Sequence, residues 1–349
     1  MRQRFGRCHR HALTVAVTLI ACSLFMPASR VSAANLQPAG INLGGTSFYD
    51  GFGRNTGGFT YLTYFQWAMA HSINGDNGEP QPYFNDPRIN VFLWLNQLAY
   101  TVPDAVFAET AHVGINFVLP IIYFDSSFAP PPPFPGVQLT DNDIGVGDLT
   151  FGPFVQFRPL LSGGRPVFSH RFEVNVIAPI GKFDPDKDIN QSSNFTSLVP
   201  YWAATVVPFP RFELSVRLHY LYNFKTHRPA LGRLYSNEVP PAIKSAQAGQ
   251  AAWINFATSY EVLDHFHLGA NGYYFHQINL DLWEMQDGSS NPGTQFADTG
   301  KARILAIGPG LMWSVGDHEK LFANFYVQTT VHNGPQANVL NLRWVHGFP

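Results

Sequence analysis

Apolar and polar residues alternate one for one along much of the chain. The cleanest run begins at Phe212. Phe212, Leu214, Val216, Leu218, Tyr220, Tyr222 and Phe224 share one parity; Arg211, Glu213, Ser215, Arg217, His219 and Asn223 share the other, with Leu221 the one apolar residue among them. A helix would mix these sets, whereas a strand sends them to opposite faces. The same pattern returns in Val113–Ile121, Leu149–Phe157, Phe172–Val176, Ile254–Tyr260 and Leu321–Val327. In Asn90–Asn96, Val91, Leu93 and Leu95 alternate with Asn90 and Asn96, but Phe92 and Trp94 blur the pattern. The faces of Leu198–Val207 cannot be told apart. The pattern predicts about twelve strands, an even number as in bacterial single-chain barrels. They start near Phe59, Ile89, Ala111, Gly147, Phe168, Leu198, Arg211, Ala251, Phe266, Arg303, Lys320 and Val339.

The gaps between these strands alternate in length. Thr101–Thr110, Pro159–Val167, Pro208–Pro210, Leu263–His265 and Gly316–Glu319 are short. His71–Pro87, Asp125–Gly145, Lys182–Ser197, Lys225–Gln247 and Asn279–Lys301 are long, and His332–Ala337 breaks the rule mildly. Short periplasmic turns and long extracellular loops produce that phase. Leu340, Leu342, Trp344 and Phe348 alternate in the last segment, as in outer-membrane barrels that end on a strand with a terminal aromatic, and Pro349 after Phe348 departs from that pattern. The fold class expected is all-β: one transmembrane antiparallel barrel over 58–349. It is preceded at 34–57 by an arm or plug rich in Gly, Asn and aromatics. Pro120, Pro153, Pro179 and Pro309 interrupt strands. Each removes a ladder donor, so each is expected at a bulge, a strand end or a gap, with Pro153 and Pro309 as the strand-kink candidates.

Composition supports the membrane reading. Charged residues make up 13% and aromatics 15% of the chain, against about 25% charged in ordinary soluble proteins. Mean hydropathy is only −0.06, as expected when lipid-facing residues alternate with lumenal ones. Arg2, Arg4, Arg7 and Arg10, the apolar run Ala12–Met26 and Val31-Ser32-Ala33 have the form of a secretory signal over 1–33, cleaved before Ala34. Leu19-Ile20-Ala21-Cys22 also has a lipoprotein-like form, but the apolar run continues past Cys22. Cleavage after Ala33 removes five arginines and no acid, taking the net charge from −2 to −7. It also removes Cys8 and Cys22, so disulfides and thiolate metal sites are excluded from the mature chain.

Six segments occur in order: Ile41-Asn42-Leu43-Gly44, Gly147-Asp148-Leu149-Thr150-Phe151-Gly152-Pro153, Pro179-Ile180-Gly181-Lys182-Phe183, Leu218-His219-Tyr220-Leu221-Tyr222-Asn223-Phe224, Gly272-Tyr273-Tyr274 and Gly308-Pro309-Gly310-Leu311. Together they resemble the meta-pathway phenol-degradation family of outer-membrane proteins. The resemblance spans about Asn35 to Phe348. It implies a transporter-like barrel associated with aromatic catabolism, akin to hydrophobic-compound channels, and no activity on phenol itself.

Three functions are compatible with such a barrel. The first is a channel for small hydrophobic or aromatic compounds, which predicts an apolar pocket in the extracellular half. The second is a structural or surface-interaction barrel, which predicts a filled lumen. The third is a barrel enzyme, which needs a nucleophile in contact with its base. His219 and Ser215 share a face but stand four residues apart, about 13 Å along a strand, so they are not expected to pair. The lumen candidates are Glu173, Asn175, Glu213, Arg217, His219 and Glu261. They form either a polar conduit or a self-satisfying interior network, and the network is favoured because buried charges persist when paired. Asp184, Asp186 and Asp188 lack the glycine and glutamate of a calcium loop and read as a solvated loop. No cofactor, metal or nucleic-acid partner is implied. The expected partners are the outer-membrane bilayer and a small apolar solute.

Overall fold

A computed structural model describes residues 37–82, 84–129, 139–230, 243–290 and 300–348. The signal segment 1–33 and the proline run beginning at Pro130 lie outside the described residues.

The described residues contain sixteen strands and no helix. Twelve of them build a barrel: β1 (Gly58–Asn74), β2 (Arg88–Val106), β3 (Ala111–Ser127), β5 (Leu149–Phe157), β7 (Arg165–Ala178), β8 (Ser197–Phe209), β9 (Phe212–Asn223), β11 (Ala251–Leu263), β12 (Phe266–Gln277), β14 (Arg303–Val315), β15 (Glu319–His332) and β16 (Gly334–Gly347). Each pairs antiparallel with its neighbours in chain order. The ring closes where β1 pairs with β2 on one side and β16 on the other. Closure removes both sheet edges, which the bilayer demands of any spanning sheet. Four short strands are accessory. β4 (Ile144–Val146) pairs with β3, β6 (Leu160–Ser162) with β7, and β10 (Ile243–Gln247) with β13 (Leu282–Met285).

Connections at one end are tight turns, with Arg211, His265 and Gly316 at φ 68°, 67° and 70°. The other end carries the long loops. The exception there is β15–β16, whose link is the single residue Asn333 (φ 54°). Strand β16 therefore begins at Gly334, five residues before the start expected from the alternation, because Gly334-Pro335-Gln336 continues the ladder with β1.

The outer wall is apolar. Leu214, Leu218, Phe172, Val174, Ile115 and Phe117 are exposed, while Glu213, Glu173, Asn175 and Asn116 are buried on the opposite parity. Rings stack across this surface toward the loop end, with Trp67–Phe92 centroids at 5.4 Å and Phe92–Tyr123 at 5.9 Å. At the turn end Phe209 and Phe212 stack at 4.8 Å. Two such bands are the interfacial girdles of a membrane barrel.

Two strands differ from the simple alternation for one reason: the lumen is packed rather than wet at their level. In β2 the outer residues are Phe92, Trp94 and Leu98, and Leu93 faces inward to cluster with Ile122 and Phe124, with Ala39 and Leu95 packed beside them. The apolar face assigned to Val91, Leu93 and Leu95 is thus the lumenal one. In β8, Ala203, Ala204 and Thr205 are all buried. Small residues are needed there because Gly51 passes so close that a β-carbon on it would lie 2.4 Å from the Thr205 nitrogen.

Pro153 and Pro309 sit at lapses in the ladder rather than at bulges. The β5–β7 register is the same before and after Pro153, but no pair forms at Gly152 or Pro153. The β14–β15 ladder likewise skips Gly308 and Pro309, and its register shift lies earlier, between Leu305 and Ala306. Pro153 and Pro309 both face outward, while the adjacent glycines bring the strands together: a β-carbon on Gly152 would lie 2.0 Å from the Val174 carbonyl oxygen. Pro179 follows the end of β7. Pro120 stands where β3 turns from β5 to β4, its carbonyl accepting the Gly147 amide at 2.9 Å.

Candidate functional site

The segment before β1 runs through the lumen from the loop end to the turn end. At the loop end the Gln37 side chain donates to the Gly249 carbonyl (2.8 Å). Trp253 and Asn255 donate to the Asn42 carbonyl (2.9 and 3.1 Å), and Tyr326 and Asn341 to that of Gly44 (2.7 and 3.0 Å). Gly44 can approach Tyr326 and Tyr273 only because it lacks a side chain, and its φ is 69°. Farther along, the Gly51 amide donates to Thr205 (2.8 Å), and Gln156 and Ser169 donate to the Gly51 carbonyl (3.0 and 2.9 Å). At the turn end Arg54 donates to the carbonyls of Gly57 and Phe348 (2.8 and 2.5 Å). A backbone without a sheet of its own is thereby satisfied by the inward side chains of the wall.

The candidates divide into separate groups. Glu173 is the centre of the largest. One carboxylate oxygen accepts from Asn116 and Asn175 (2.9 and 2.8 Å). The other accepts from Tyr201 (2.7 Å) and from Arg171, its ion-pair partner. The chain of bonds continues sideways, Gln97 donating to Asn116 (3.0 Å) and Tyr64 to Gln97 (2.9 Å). Arg217 pairs instead with Asp50 of the threaded segment through two bonds of 2.7 Å, and its guanidinium lies 4.3 Å from the Tyr201 ring centre. Glu213 accepts from Ser215 (2.5 Å), Ser259 (2.8 Å) and the Tyr49 amide (3.4 Å). His219 stacks on Trp253 at 4.3 Å with neither ring nitrogen hydrogen-bonded. Ser215, bonded to Glu213 and Thr205, does not meet it. Glu261 stands apart at the turn-end rim, where it caps the His265 amide (2.8 Å).

Beside the threaded segment lies a cavity of about 590 Å³. Its wall mixes apolar residues, among them Leu62, Leu95, Phe322 and Val345, with polar ones including Glu173, Arg217, His219 and Arg343. It reaches the turn-end rim at Asp317 and His318, so it is not confined to the extracellular half as the channel expectation had it. Glu213 and Glu261 do not line it. Sequence reasoning missed Asp50, Arg171, Tyr201, Lys320 and Arg343 as site residues. Parity alone places Arg171 inward beside Glu173, and Arg343 inward between Leu342 and Trp344. Nothing in the alternation reveals that Asp50 reaches Arg217, because Asp50 lies outside the strands.

A family profile described as "Putative MetA-pathway of phenol degradation" matches residues 47–344. No curated protein matches the sequence significantly. Among solved structures, the COG4313 outer membrane channel from Pseudomonas putida F1 is similar, with TM-score 0.66 and 15% identity over 87% of this chain and 99% of that one. The transport unit of the autotransporter AIDA-I from Escherichia coli is a more distant likeness, with TM-score 0.43 and 11% identity over 83% of this chain and 90% of that one.

Proposed function

The chain belongs to the family whose profile spans residues 47–344, and from that premise we propose that it is an outer-membrane channel for small hydrophobic or aromatic compounds. The observation that carries the reading is the cavity within the lumen. A barrel serving only as a scaffold gains nothing from leaving such a space beside an otherwise packed segment. The apolar patches of its wall suit an aromatic or aliphatic body, and the neighbouring hydrogen-bonding groups suit a polar substituent. Glu173, Asn175, Arg217 and His219 belong to the polar side of that wall, which the Asn175–Glu173 bond and the Arg217–Asp50 pair hold in shape.

The threaded segment 37–57 acts as a plug across the axial path. Its release, or a sideways step through the wall, is then needed for passage. The lapses at Pro153 and Pro309 leave the wall with fewer bonds to break, so a lateral exit would use one of them. The precursor is exported by residues 1–33 and processed before Ala34. Mass spectrometry of the purified protein should find that terminus and no acyl group on Cys22.

The test is uptake of labelled toluene by cells with and without the protein. Faster uptake with the native protein is expected, and no acceleration for any apolar solute overturns the channel reading. Val at 153 or 309 restores a ladder donor. Slower uptake by inserted Pro153→Val or Pro309→Val protein supports the lateral exit, and unchanged uptake in both removes it.

A further inference from the structure

Three arginines project from the wall into the middle of the lumen, and two are paired. Arg171 has Glu173 and Arg217 has Asp50. The third, Arg343 on β16, is 6% exposed and has no carboxylate within ion-pair distance among the described residues. Its guanidinium lies 3.6 Å from the centre of the Phe322 ring and 5.9 Å from that of Tyr64, and its Nε has no hydrogen-bond partner. The Tyr64 hydroxyl is a hydrogen-bonding neighbour.

A second cation stands beside it. Lys320 on β15 is opposite Val345, and Arg343 is opposite Phe322, so the two are diagonal neighbours on the inner face. Lys320 lines the same cavity. The acid next to it in sequence, Glu319, has the outward parity and contacts His346. Two like charges so close, one of them buried, cost free energy unless an anion joins them. Cation–π contact with Phe322 and the Tyr64 hydroxyl offset part of that cost but leave Nε without an acceptor. The space in front of them is bounded by Leu62, Leu95, Phe322 and Val345.

We infer that Arg343 and Lys320 form a carboxylate-binding subsite in the turn-end half of the lumen, and that the solute carried is an anionic amphiphile, an aromatic acid in particular. Arginine's planar fork accepts a carboxylate in two parallel bonds, and lysine adds a point charge from the side. The apolar wall then takes the ring. This rests on the channel reading above, whose solute it narrows. It also separates the roles of the lumenal charges. The paired groups around Glu173 and Arg217 build the wall, and the unpaired ones around Arg343 select what passes.

The test is calorimetric titration of the purified full-length protein in detergent micelles with benzoate, benzamide and acetate. Benzoate should bind about ten-fold tighter than benzamide, the scale of one charge-assisted hydrogen bond, and acetate should bind more weakly than benzoate. Arg343→Gln should abolish the preference for benzoate over benzamide, Lys320→Gln should reduce it, and Arg343→Lys should retain part of it. Heat-modifiable migration on gels checks that each variant is a folded barrel. Equal binding of benzoate and benzamide by the native protein, or a preference that survives Arg343→Gln in a folded barrel, overturns the inference. Acetate binding as tightly as benzoate overturns the amphiphile and leaves only a small-oxyanion site. If toluene enters cells but benzoate shows no preference, this inference fails and the channel reading stands. If benzoate binds through Arg343 but no solute enters, the subsite stands and the channel reading fails.

Discussion

Asp50 and Arg217 join the threaded segment to the wall by the strongest polar contact between them. Both oxygens of Asp50 are used, and the two side chains are only 6% and 13% exposed. Removing one partner strands the other charge away from water, so Asp50→Asn should destabilise the protein by about 3 kcal/mol, as breaking a buried pair does. The double variant Asp50→Asn/Arg217→Met should recover most of that loss. Urea titrations in detergent, followed by tryptophan fluorescence, provide the comparison. A double-variant loss equal to the sum of the losses from Asp50→Asn and Arg217→Met alone would mean the pair contributes no coupling. Arg217 is legible as an inward residue from the parity of β9, but its partner is not. Asp50 lies 167 positions away in a stretch with no periodicity, and only the closed barrel brings the two together.

The accessory two-stranded sheet of β10 and β13 buries Trp283 and Ala246 and is tied together by polar contacts as well. Glu284 on β13 accepts from Lys225 (2.6 Å) and from Ser245 on β10 (2.7 Å). The Lys225 hydrogen bond, followed by that of Ser245, holds the Glu284 carboxyl below its ordinary range. A carboxyl depressed in the folded state stabilises it above the pKa of the free side chain, about 4.3. That stabilisation disappears as pH falls through the lower, folded value. Amide-exchange protection at Ser245–Gln247 should therefore be steady near neutral pH and fall in acid, and Lys225→Met should flatten the dependence. Protection that does not change with acid would remove Glu284 from the account. Alternation does not reveal this small sheet, because strands of five and four residues are too short to stand out within long polar loops.

Across the whole molecule, the lipid face is continuous and the inner face is not. Leu218 is 44% exposed on the outer wall, while the next inward residues, Arg217 and His219, are enclosed. Leu218→Arg should cost about 2–4 kcal/mol, as a cation does at the bilayer midplane of a barrel, measured by reversible unfolding in phospholipid vesicles. A neutral effect would mean that this parity does not face lipid. The lumen is uneven because the threaded segment fills one side and leaves the cavity on the other. Wall residues accordingly change character with what they meet: alanines where Gly51 passes, aromatics and arginines where the space is open.

The amino-acid sequence by itself determined the barrel strands, their number, their phase and, for most of them, which parity faces lipid. Period-two alternation is a local property, and closure of the ring follows once every backbone donor must be met without water. The β16 boundary and the inner face of β2 escaped it. Gly334 and Pro335 read as a loop until β1 pairs with them, and Leu93 reads as lipid-facing until Ile122 and Ala39 cover it. The tertiary structure alone decided the course of residues 37–57, the pairing of Arg217 with Asp50, and the isolation of Arg343. These depend on what the threaded segment and the wall strands bring together inside the lumen, and no spacing along one strand records what stands in front of it.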